Sequence, residues 1–465
     1  MKTKLLIIGD ILLLYSALGL GLFLRYYPKP IDPPLSQHWF PFSVIFFFWL
    51  VLLGAFGLYD LRFIKNSRRF LVRLLQAAAV NVVIAIFILY FIPYFDIEPR
   101  RNLLIITTVA TFLLFIWRYL FNLFIARTPA TRLIFFGITP ETIELADYLL
   151  KNPQLGYKPA AFLQREGVED SLLPLPHFIF DEQTFAHIIR DHQIDMVVIA
   201  PEMKADQTLV HALFQVIPLG VIIAEFPALH EMVTGKIPLS LINETWFLEN
   251  LIGQRKPRYE FAKRIFDFSL ALFFGAFLLF CLPFIMAGVI LTRPSDLWRY
   301  KERRARQGDG IIFFRQKRVG KSGVWFDFVK IRSQLLGAEK MSEAKAAEND
   351  ARHYALGKLM RIMYLDELAQ AWNVLRGEMS FVGPRPERPE YVLQLKQKVP
   401  FYEMRLIVRP GITGWAQVNM ENDASVEDAP EKMQYDLYYI KNRSLTLDLL
   451  ILMRTIFAVV GRTGR

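Results

Sequence analysis

Four apolar stretches at the start of the chain constrain its fold more than any other feature. They run over residues 4–24, 42–59, 74–93 and 103–124 of the 465 residues. Each approaches the roughly 20 apolar residues that a helix needs to cross a bilayer. Asp10 lies inside the first stretch and no small-residue cleavage pattern follows it, so we expect a retained span rather than a signal peptide. The sequence predicts a four-helix transmembrane bundle over residues 1–127.

The loops between these stretches carry unequal positive charge. The loop between the second and third stretches contains Arg62, Lys65, Arg68, Arg69 and Arg73, whereas the next loop has Arg100 and Arg101 beside Asp96 and Glu98. Because the more basic loops stay on the cytoplasmic side, both ends of the bundle are expected there. The net charge of +11 accompanies cations that flank apolar runs. This pattern favours membrane lipids as the partner and predicts no nucleic-acid partner.

A Rossmann-like domain is predicted over residues 128–252. Strand patterns such as "RLIFFG", "PAAFLQ", "DMVVIA" and "GVIIAEF" alternate with helical patterns such as "PETIELADYLLKN". Alternation of this kind predicts a parallel sheet with helices on its faces. The first turn reads "FGITPET", with Gly137 alone, so the glycine-rich turn that cradles dinucleotide phosphates is missing. We expect a structural or regulatory module, with dinucleotide binding as the alternative.

A fifth apolar run, "IFDFSLALFFGAFLLFCLPFIMAGVIL", is long enough to cross the bilayer and contains the single cysteine, Cys281. Basic residues crowd both of its flanks, over 255–264 and 293–306, which argues that both ends stay on the cytoplasmic side. Pro283 removes a helix hydrogen bond and favours a bend. The sequence therefore predicts a helix over 261–291 that enters the membrane and returns, with a full crossing as the alternative. The most polar stretch, 341–353, reads as a solvated helix or a loop.

The segment "GIIFFRQKRVGKSGVWFDFVKIRS" places cations among strand-like aromatic residues. These are Arg315, Lys317, Arg318, Lys321, Lys330 and Arg332. Guanidinium groups suit phosphate oxygens because they donate hydrogen bonds in a planar fork. A solvated basic face near anionic lipid is the alternative interpretation.

The segment "LDELAQAWNVL" has the apolar spacing of an amphipathic helix, with Asp366 and Glu367 in its first turn. Acids are common at helix starts, where they complement the helix dipole, and this structural interpretation stays open. The functional hypothesis is that one carboxylate attacks a phosphorus atom while its neighbour helps to hold Mg²⁺.

Two stiff turns with arginines follow the acid pair. "FVGPRPERPEY" carries Arg385 and Arg388 between prolines that fix the backbone, and "VRPGITGWAQVN" makes a second tight turn. Rigid arginines near a pair of acids indicate an anion site, although a purely structural role for the turns is also possible.

From about Tyr259 to Arg465 the chain resembles the bacterial polyprenyl-phosphate glycosylphosphotransferases, in the large multi-domain branch of that family. The motifs that carry the resemblance are "KRIFD", "FFRQKRVG", "KIRS", "LDELAQ", "NVLRGEMSFVGPRPERPE", "RPGITGWAQVN" and "YDLYYIKNRSLTLDLLILMRTI". The resemblance implies a C-terminal α/β catalytic domain, here 253–465, with a re-entrant membrane helix. It also implies a homodimer and a role in the first membrane step of exopolysaccharide or O-antigen synthesis. The resemblance places the chain in the bacterial inner membrane, with the catalytic domain in the cytoplasm.

The resemblance also implies a mechanism. Asp366 and Glu367 would form a dyad that works with Mg²⁺, and Asp366 would attack the β-phosphorus of a UDP-sugar, release UMP and carry a phosphosugar. Undecaprenyl phosphate would then accept the phosphosugar and yield undecaprenyl-diphospho-sugar. Arg385, in the GPRP motif, would bind substrate phosphates. The other candidates for phosphate binding are Lys330, Arg332, Arg388 and Arg318.

The chain departs from the family pattern at three places. Ala369 stands where the dyad helix usually has proline, Gln334 stands where methionine is common, and the connection after residue 292 is long and basic. The C-terminal "LDLLILMRTIFAVV" is too short to cross a bilayer, so we expect it to lie on the membrane with Arg454, Arg462 and Arg465 at lipid phosphates.

Two other functions remain as hypotheses. Tyr259 and Lys263 have the YxxxK spacing of NAD-dependent nucleotide-sugar dehydratases and epimerases, although the glycine-rich turn is missing. A non-catalytic scaffold or regulator of polysaccharide assembly is the second alternative, and the intact acid pair and arginine turns argue against it.

Overall fold

The computed structural model describes residues 2–31, 35–60, 66–91, 99–127, 129–165, 175–252, 256–292, 310–335, 353–420 and 427–460. These residues form two compact units, Met1–Gly235 and Lys236–Arg465. Several sequence predictions lie outside the described residues: the charges at 62, 65, 96 and 98, the basic connection 293–306, most of the polar stretch 341–353, and Arg462 and Arg465.

Four long apolar helices open the first unit, as predicted from the sequence. They are α1 (Lys2–Tyr26), α2 (Leu35–Ala55), α3 (Arg68–Phe91) and α4 (Pro99–Arg127). Helix α1 packs against α2 and α4, and α3 packs against the same two helices. Each helix is long and apolar enough to cross a membrane. Together with the sheet that follows, they make the chain a multi-domain α/β membrane protein.

A buried ion pair joins α1 to α4. Arg118 Nη2 lies 2.5 Å from Asp10 Oδ2, and both side chains are buried. The Tyr59 hydroxyl donates to the same carboxylate oxygen at 2.7 Å, and Arg118 Nη1 donates to Leu58 O at 2.7 Å. Since charges inside an apolar bundle are costly unless paired, these contacts explain how the first apolar stretch accommodates Asp10.

A parallel five-stranded sheet follows the helices, in the order β3-β2-β1-β4-β5. The strands are β1 (Thr131–Phe136), β2 (Tyr157–Gln164), β3 (His177–Ile179), β4 (Met196–Ile199) and β5 (Ile222–Glu225). Helices α5 (Pro140–Lys151), α6 (Glu182–Asp191), α7 (Gln207–Val216) and α8 (Phe226–Thr234) alternate with them. The predicted Rossmann-like alternation is confirmed, and β3 is the strand that the sequence pattern did not reveal.

The turn after β1 satisfies its own polar groups. Thr139 caps α5 by accepting a hydrogen bond from Thr142 N at 3.3 Å, and the Thr139 amide donates to Thr142 Oγ1 at 2.9 Å. Gly137 alone in this turn has a positive φ, of 99°. The reciprocal threonine cap occupies amides that a dinucleotide phosphate would use, which agrees with the missing glycine motif.

The second unit combines helices of very different length with two pairs of strands and one isolated bridge among its described residues. Its helices are α9 (Glu244–Phe247), α10 (Pro257–Thr292), α11 (Ala355–Ile362), α12 (Ala371–Arg376), α13 (Pro389–Lys398), α14 (Trp415–Asn419), α15 (Ala429–Asn442) and α16 (Leu445–Val460). The strands are β6 (Phe313–Val319), β7 (Trp325–Ile331), β8 (Ser380–Val382) and β9 (Gly411–Thr413). β6 and β7 lie in the basic segment with strand-like aromatic residues and form an antiparallel hairpin, and β8 pairs with β9 in parallel.

Helix α10 runs without interruption through Pro283. Its first half contributes Ala271 to a hydrophobic cluster that also contains Phe381 of β8. Its second half contributes Ile285 and Val289 to a second cluster, together with Ile331 of β7 and Ala369. Both halves of the helix therefore pack against the same unit.

Candidate active site

The two predicted catalytic acids lie on a 3-10 helix, Leu365–Gln370, rather than in the first turn of an α-helix. Helix α12 begins only at Ala371, so the sequence placed the start of the α-helix too early. Tyr364, directly before the acids, has a left-handed backbone with φ of 54°. That conformation is uncommon for a residue other than glycine, and it sets the acids apart from the preceding helix.

The 3-10 helix Leu365–Gln370, called the dyad segment from here on, packs along strand β7. Lys330 Nζ contacts Glu367 Oε1 at 2.9 Å. Asn373, which is fully buried, accepts a hydrogen bond from Val329 N at 3.1 Å and donates to Asp327 O at 2.7 Å. These bonds join α12 to the β7 backbone. The acids are therefore held against a strand by a side-chain amide that the sequence analysis did not single out.

The dyad segment combines two carboxylates with a spare hydrogen-bond donor. Asp366 is only 6% exposed, and Gln370, at 1% exposed, has a buried Nε2 that has no hydrogen-bond partner among the described residues. Mg²⁺ binds oxygen ligands and is commonly held by one or two carboxylates plus substrate phosphates. Asp366 and Glu367 fit this donor chemistry. No group of three or more potential metal-ligating side chains occurs in the described part of the chain.

The turn that carries Arg385 is clamped through three consecutive carbonyls. Arg405 Nη2 donates to Arg385 O at 3.0 Å, and Arg318 Nη1 donates to Pro386 O at 3.1 Å. The amide of Val319 donates to Glu387 O at 3.0 Å. The backbone between the prolines is thus fixed from outside as well as by its own rings, and the Arg385 side chain is half-buried.

A cluster of charges underlies this turn. Lys432 Nζ contacts Glu387 Oε1 at 2.8 Å, Arg318 lies 3.7 Å from Glu387 Oε2, and Arg405 Nη2 lies 2.9 Å from Asp436 Oδ2. Burial alone would raise the pKa of Glu387, but Lys432, Arg405 and Arg318 outweigh it and lower that pKa to about 2. Burial raises the pKa of Asp436, against the opposing effect of Arg405. Glu387 is therefore an anion at every physiological pH.

The two arginine-bearing turns touch through their glycines. A Cβ on Gly411 would lie 2.1 Å from Gly383 N, and one on Gly383 would lie 2.4 Å from Arg409 O. Only hydrogen at these positions permits so close an approach of two backbones. The glycines of the two motifs therefore fix the motifs against each other.

The predicted phosphate-binding residues separate into different roles. Lys330 contacts the dyad, Arg318 clamps the turn that carries Arg385, and Arg388 lies over the Tyr391 ring at 5.9 Å. Arg332 is buried, and its Nε donates to Ile311 O at 2.8 Å. Arg318 and Arg332 thus spend hydrogen bonds on backbone carbonyls, which favours structural roles for both.

Tyr259 and Lys263, the pair with dehydratase spacing, contact a buried carboxylate. The Tyr259 hydroxyl donates to Asp448 Oδ2 at 2.9 Å, and Lys263 Nζ donates to the same atom at 2.8 Å. This arrangement gives both residues a structural partner and removes the reason to assign them to nicotinamide chemistry.

A small cavity lies between the two turns, lined in part by Arg385, Arg405 and Tyr402. It has room for no more than about a water molecule. A nucleotide or sugar therefore does not fit inside it, and these residues would meet a substrate only at the open surface.

Comparison with known proteins adds independent observations. A family model described as bacterial sugar transferase matches residues 258–462, and one described as a CoA-binding domain matches residues 54–223. An uncharacterized sugar transferase of Bacillus subtilis is 35% identical over 202 residues, which cover 43% of this chain and 89% of the relative. This chain belongs to the bacterial sugar transferases, the polyprenyl-phosphate glycosylphosphotransferase family.

Larger members of the sugar transferase family align in part. A UDP-N-acetylgalactosamine-undecaprenyl-phosphate N-acetylgalactosaminephosphotransferase of Aeromonas hydrophila is 36% identical over 52% of this chain and 54% of its own length. A UDP-glucose:undecaprenyl-phosphate glucose-1-phosphate transferase of Xanthomonas campestris is 40% identical over 33% of this chain and 32% of its own length. The sugar transferase described here thus aligns with about half or less of these relatives.

Proposed function

We propose that this protein transfers a sugar phosphate from a UDP-sugar to undecaprenyl phosphate, releasing UMP. The observation that carries the proposal is a pair of acids on a fixed 3-10 turn, with Lys330 at Glu367, in a unit that also holds a clamped arginine turn. The two larger relatives named above carry this reaction in their names, with different sugars. The sugar that this chain uses is thus a matter for experiment.

In the first step, an oxygen of the Asp366 carboxylate attacks the β-phosphorus of the UDP-sugar. A bond forms between that oxygen and phosphorus, and the bond from the β-phosphorus to the bridging oxygen breaks. UMP leaves with the electron pair, and Asp366 holds the sugar phosphate as an acyl phosphate. The left-handed Tyr364 and the Asn373 bonds to β7 fix the turn on which this carboxylate lies.

In the second step, a phosphate oxygen of undecaprenyl phosphate attacks the same phosphorus atom. The bond to Asp366 breaks, and the carboxylate is regenerated together with undecaprenyl-diphospho-sugar. Arg385, on its rigid turn, stabilises the charge on the substrate phosphates at little entropic cost. Lys330 orients Glu367 and offsets the negative charge of the dyad.

Mg²⁺ is part of the proposal. The ion, when bound, neutralises the charge on the diphosphate, and Asp366 and Glu367 are the residues that would hold it. Gln370 supplies a buried amide donor in the same 3-10 helix, suited to a phosphate oxygen or a bound water.

We also propose that α10 is a re-entrant helix and that both ends of it face the cytoplasm. The packing of Ala271 and of Val289 against the same unit supports this placement, because a straight crossing separates the two ends by a membrane thickness. Helix α16 would lie on the membrane surface with Leu449 and Ile456, which are exposed, toward lipid.

Labelling tests the topology. In a Cys281→Ser background, Thr292→Cys places a thiol at the end of α10, where the wild-type side chain is exposed. A membrane-impermeant maleimide should label this cysteine in inverted vesicles and not in intact cells. Labelling in intact cells contradicts the re-entrant placement. Cross-linking in membranes tests the homodimer that the family resemblance implies.

The reaction itself is tested by UMP release. The full chain in lipid nanodiscs is incubated with Mg²⁺, undecaprenyl phosphate and a panel of UDP-sugars, beside Asp366→Asn. We expect release with one or a few sugars and its loss in the variant. If folded wild-type protein releases no UMP with any UDP-sugar of the panel, the proposed function is contradicted and a non-catalytic scaffold is favoured.

A further inference from the structure

One turn of helix α10, the "KRIFD" motif, contacts three other segments of the second unit. Lys263, Arg264 and Asp267 lie one after another on this turn. Asp267 is 1% exposed and Lys263 is buried, and α10 carries no charged residue after Asp267. Charged side chains are rarely buried without a specific partner, so each of the three calls for one.

Arg264 binds the end of the helix that follows the dyad. Its Nη1 donates to Val374 O at 2.7 Å, and its Nη2 donates to Leu375 O at 2.9 Å. Helix α12 ends at Arg376, so these are carbonyls of its last turn, where Val374 O also accepts a hydrogen bond from Gly377 N at 3.0 Å. Because α12 continues directly from the 3-10 helix Leu365–Gln370, Arg264 fixes the far end of the element that carries the acids.

Asp267 binds the strand that leads to the arginine turn. Its Oδ1 accepts a hydrogen bond from Phe381 N at 3.2 Å. Phe381 lies in the centre of β8, and the chain passes from there through Gly383 to Arg385. Asp267 therefore fixes the element that carries the proposed phosphate-binding arginine.

Lys263 binds the C-terminal helix, and that contact returns to β8. Lys263 Nζ donates to Asp448 Oδ2 at 2.8 Å, and the hydroxyl of Tyr439 lies 2.8 Å from Asp448 Oδ1. The same hydroxyl lies 3.1 Å from Val382 O. The contacts close a ring from α10 through α16 and α15 to β8.

We propose that Lys263, Arg264 and Asp267 are positioning residues that hold the acid pair and the Arg385 turn at a fixed separation. The proposal rests on the proposed function, because it assigns these residues to the geometry of that reaction. All three lie on helix α10. The position of this helix in the lipid would therefore set the distance between the 3-10 helix that carries the acids and the turn that carries Arg385. None of the three touches the reacting atoms.

Two variants separate the two halves of this arrangement. Arg264→Lys keeps the positive charge but replaces the planar guanidinium that reaches two carbonyls. It therefore weakens the attachment of α12, and with it that of the 3-10 helix that carries the acids. Asp267→Ala removes the acceptor for Phe381 N and so weakens the attachment of β8, which leads to Arg385. Asp267→Asn keeps an acceptor oxygen. Arg258→Gln is the control, because Arg258 is an exposed cation on the first turn of the same helix.

Steady-state UMP release by the full chain in nanodiscs gives kcat and the KM for the UDP-sugar. A misplacement of about 1 Å can cost about a hundredfold in rate, so Arg264→Lys should lower kcat roughly 10- to 100-fold with KM within about threefold. Asp267→Ala should raise KM about tenfold or more, because phosphate binding weakens. Asp267→Asn and Arg258→Gln should stay within about threefold of wild type.

A purely structural role would lower kcat and the unfolding temperature alike in all variants and would leave KM unchanged. That result, or an Arg258→Gln variant as impaired as Arg264→Lys, overturns the proposal.

If wild-type protein releases no UMP, the proposed function fails, and hydrogen exchange tests the positioning by itself. Arg264→Lys should then speed amide exchange in 365–376, and Asp267→Ala should speed it in 380–385. Unchanged exchange in both segments overturns the positioning role.

Discussion

Replacing Glu387 with glutamine tests the charge cluster beneath the Arg385 turn. The three cations around Glu387 lower its pKa from an ordinary 4.5 to about 2. A pKa lowered by that amount corresponds to about 3 kcal/mol of stabilisation at neutral pH. Glu387→Gln should therefore reduce the free energy of unfolding by about 3 kcal/mol at pH 7, because Lys432 and the buried Arg405 lose their common anion.

The pH dependence distinguishes this charge effect from a packing defect. Because the folded-state pKa is depressed, the stabilisation is fully present above pH 4.5 and is lost as pH falls toward 2. Denaturant unfolding in detergent, followed by tryptophan fluorescence, should show the difference between wild type and Glu387→Gln shrink over that range. Glu403→Gln, an exposed acid beside Arg405, is the matched control and should change little. A difference that is independent of pH, or below about 0.5 kcal/mol at pH 7, refutes the reasoning.

Three further predictions concern the dyad. Lys330→Met removes the cation at Glu367 and should lower kcat for UMP release roughly 10- to 100-fold. The control Lys317→Met breaks an exposed pair with Asp327 and should not lower kcat. Equal kcat values for the two variants would contradict the role of Lys330. Asn373→Leu leaves β7 backbone groups without partners and should destabilise the protein by about 2–4 kcal/mol in the same unfolding assay; a loss under about 0.5 kcal/mol would contradict the assignment. Excess EDTA should abolish UMP release and Mg²⁺ should restore it; full activity in EDTA would exclude the proposed metal.

Elements with strong periodicity were predictable from the sequence. The four N-terminal helices and the parallel sheet follow from apolar run length and strand–helix alternation, and the aromatic residues of 310–333 indicated strands but not their pairing. Strand β3 was missed because three residues carry too little pattern to recognise. The dyad helix was misjudged because Tyr364 adopts a left-handed backbone, and no local signal in "MYLDE" reveals it.

The candidate acids were predictable, but their supports were not. Asp366 and Glu367 stand out as adjacent acids in a recognisable motif. Arg405 and Arg264 act on backbone carbonyls, and Arg264 lies far from α12 in sequence, so only the folded chain reveals their partners. Charged residues between apolar neighbours were the available signal, since Asp267 follows Phe266 and precedes Phe268, and Asp448 lies between Leu447 and Leu449.

The central claim is that Asp366 carries the sugar phosphate between donor and lipid. Its most direct test is intact-mass and peptide mass spectrometry of the full chain after incubation with Mg²⁺ and the active UDP-sugar, without undecaprenyl phosphate. The account predicts a sugar-phosphate adduct on Asp366, released when undecaprenyl phosphate is added and absent in Asp366→Asn. UMP release that requires both substrates at once, with no adduct on any residue, would contradict it.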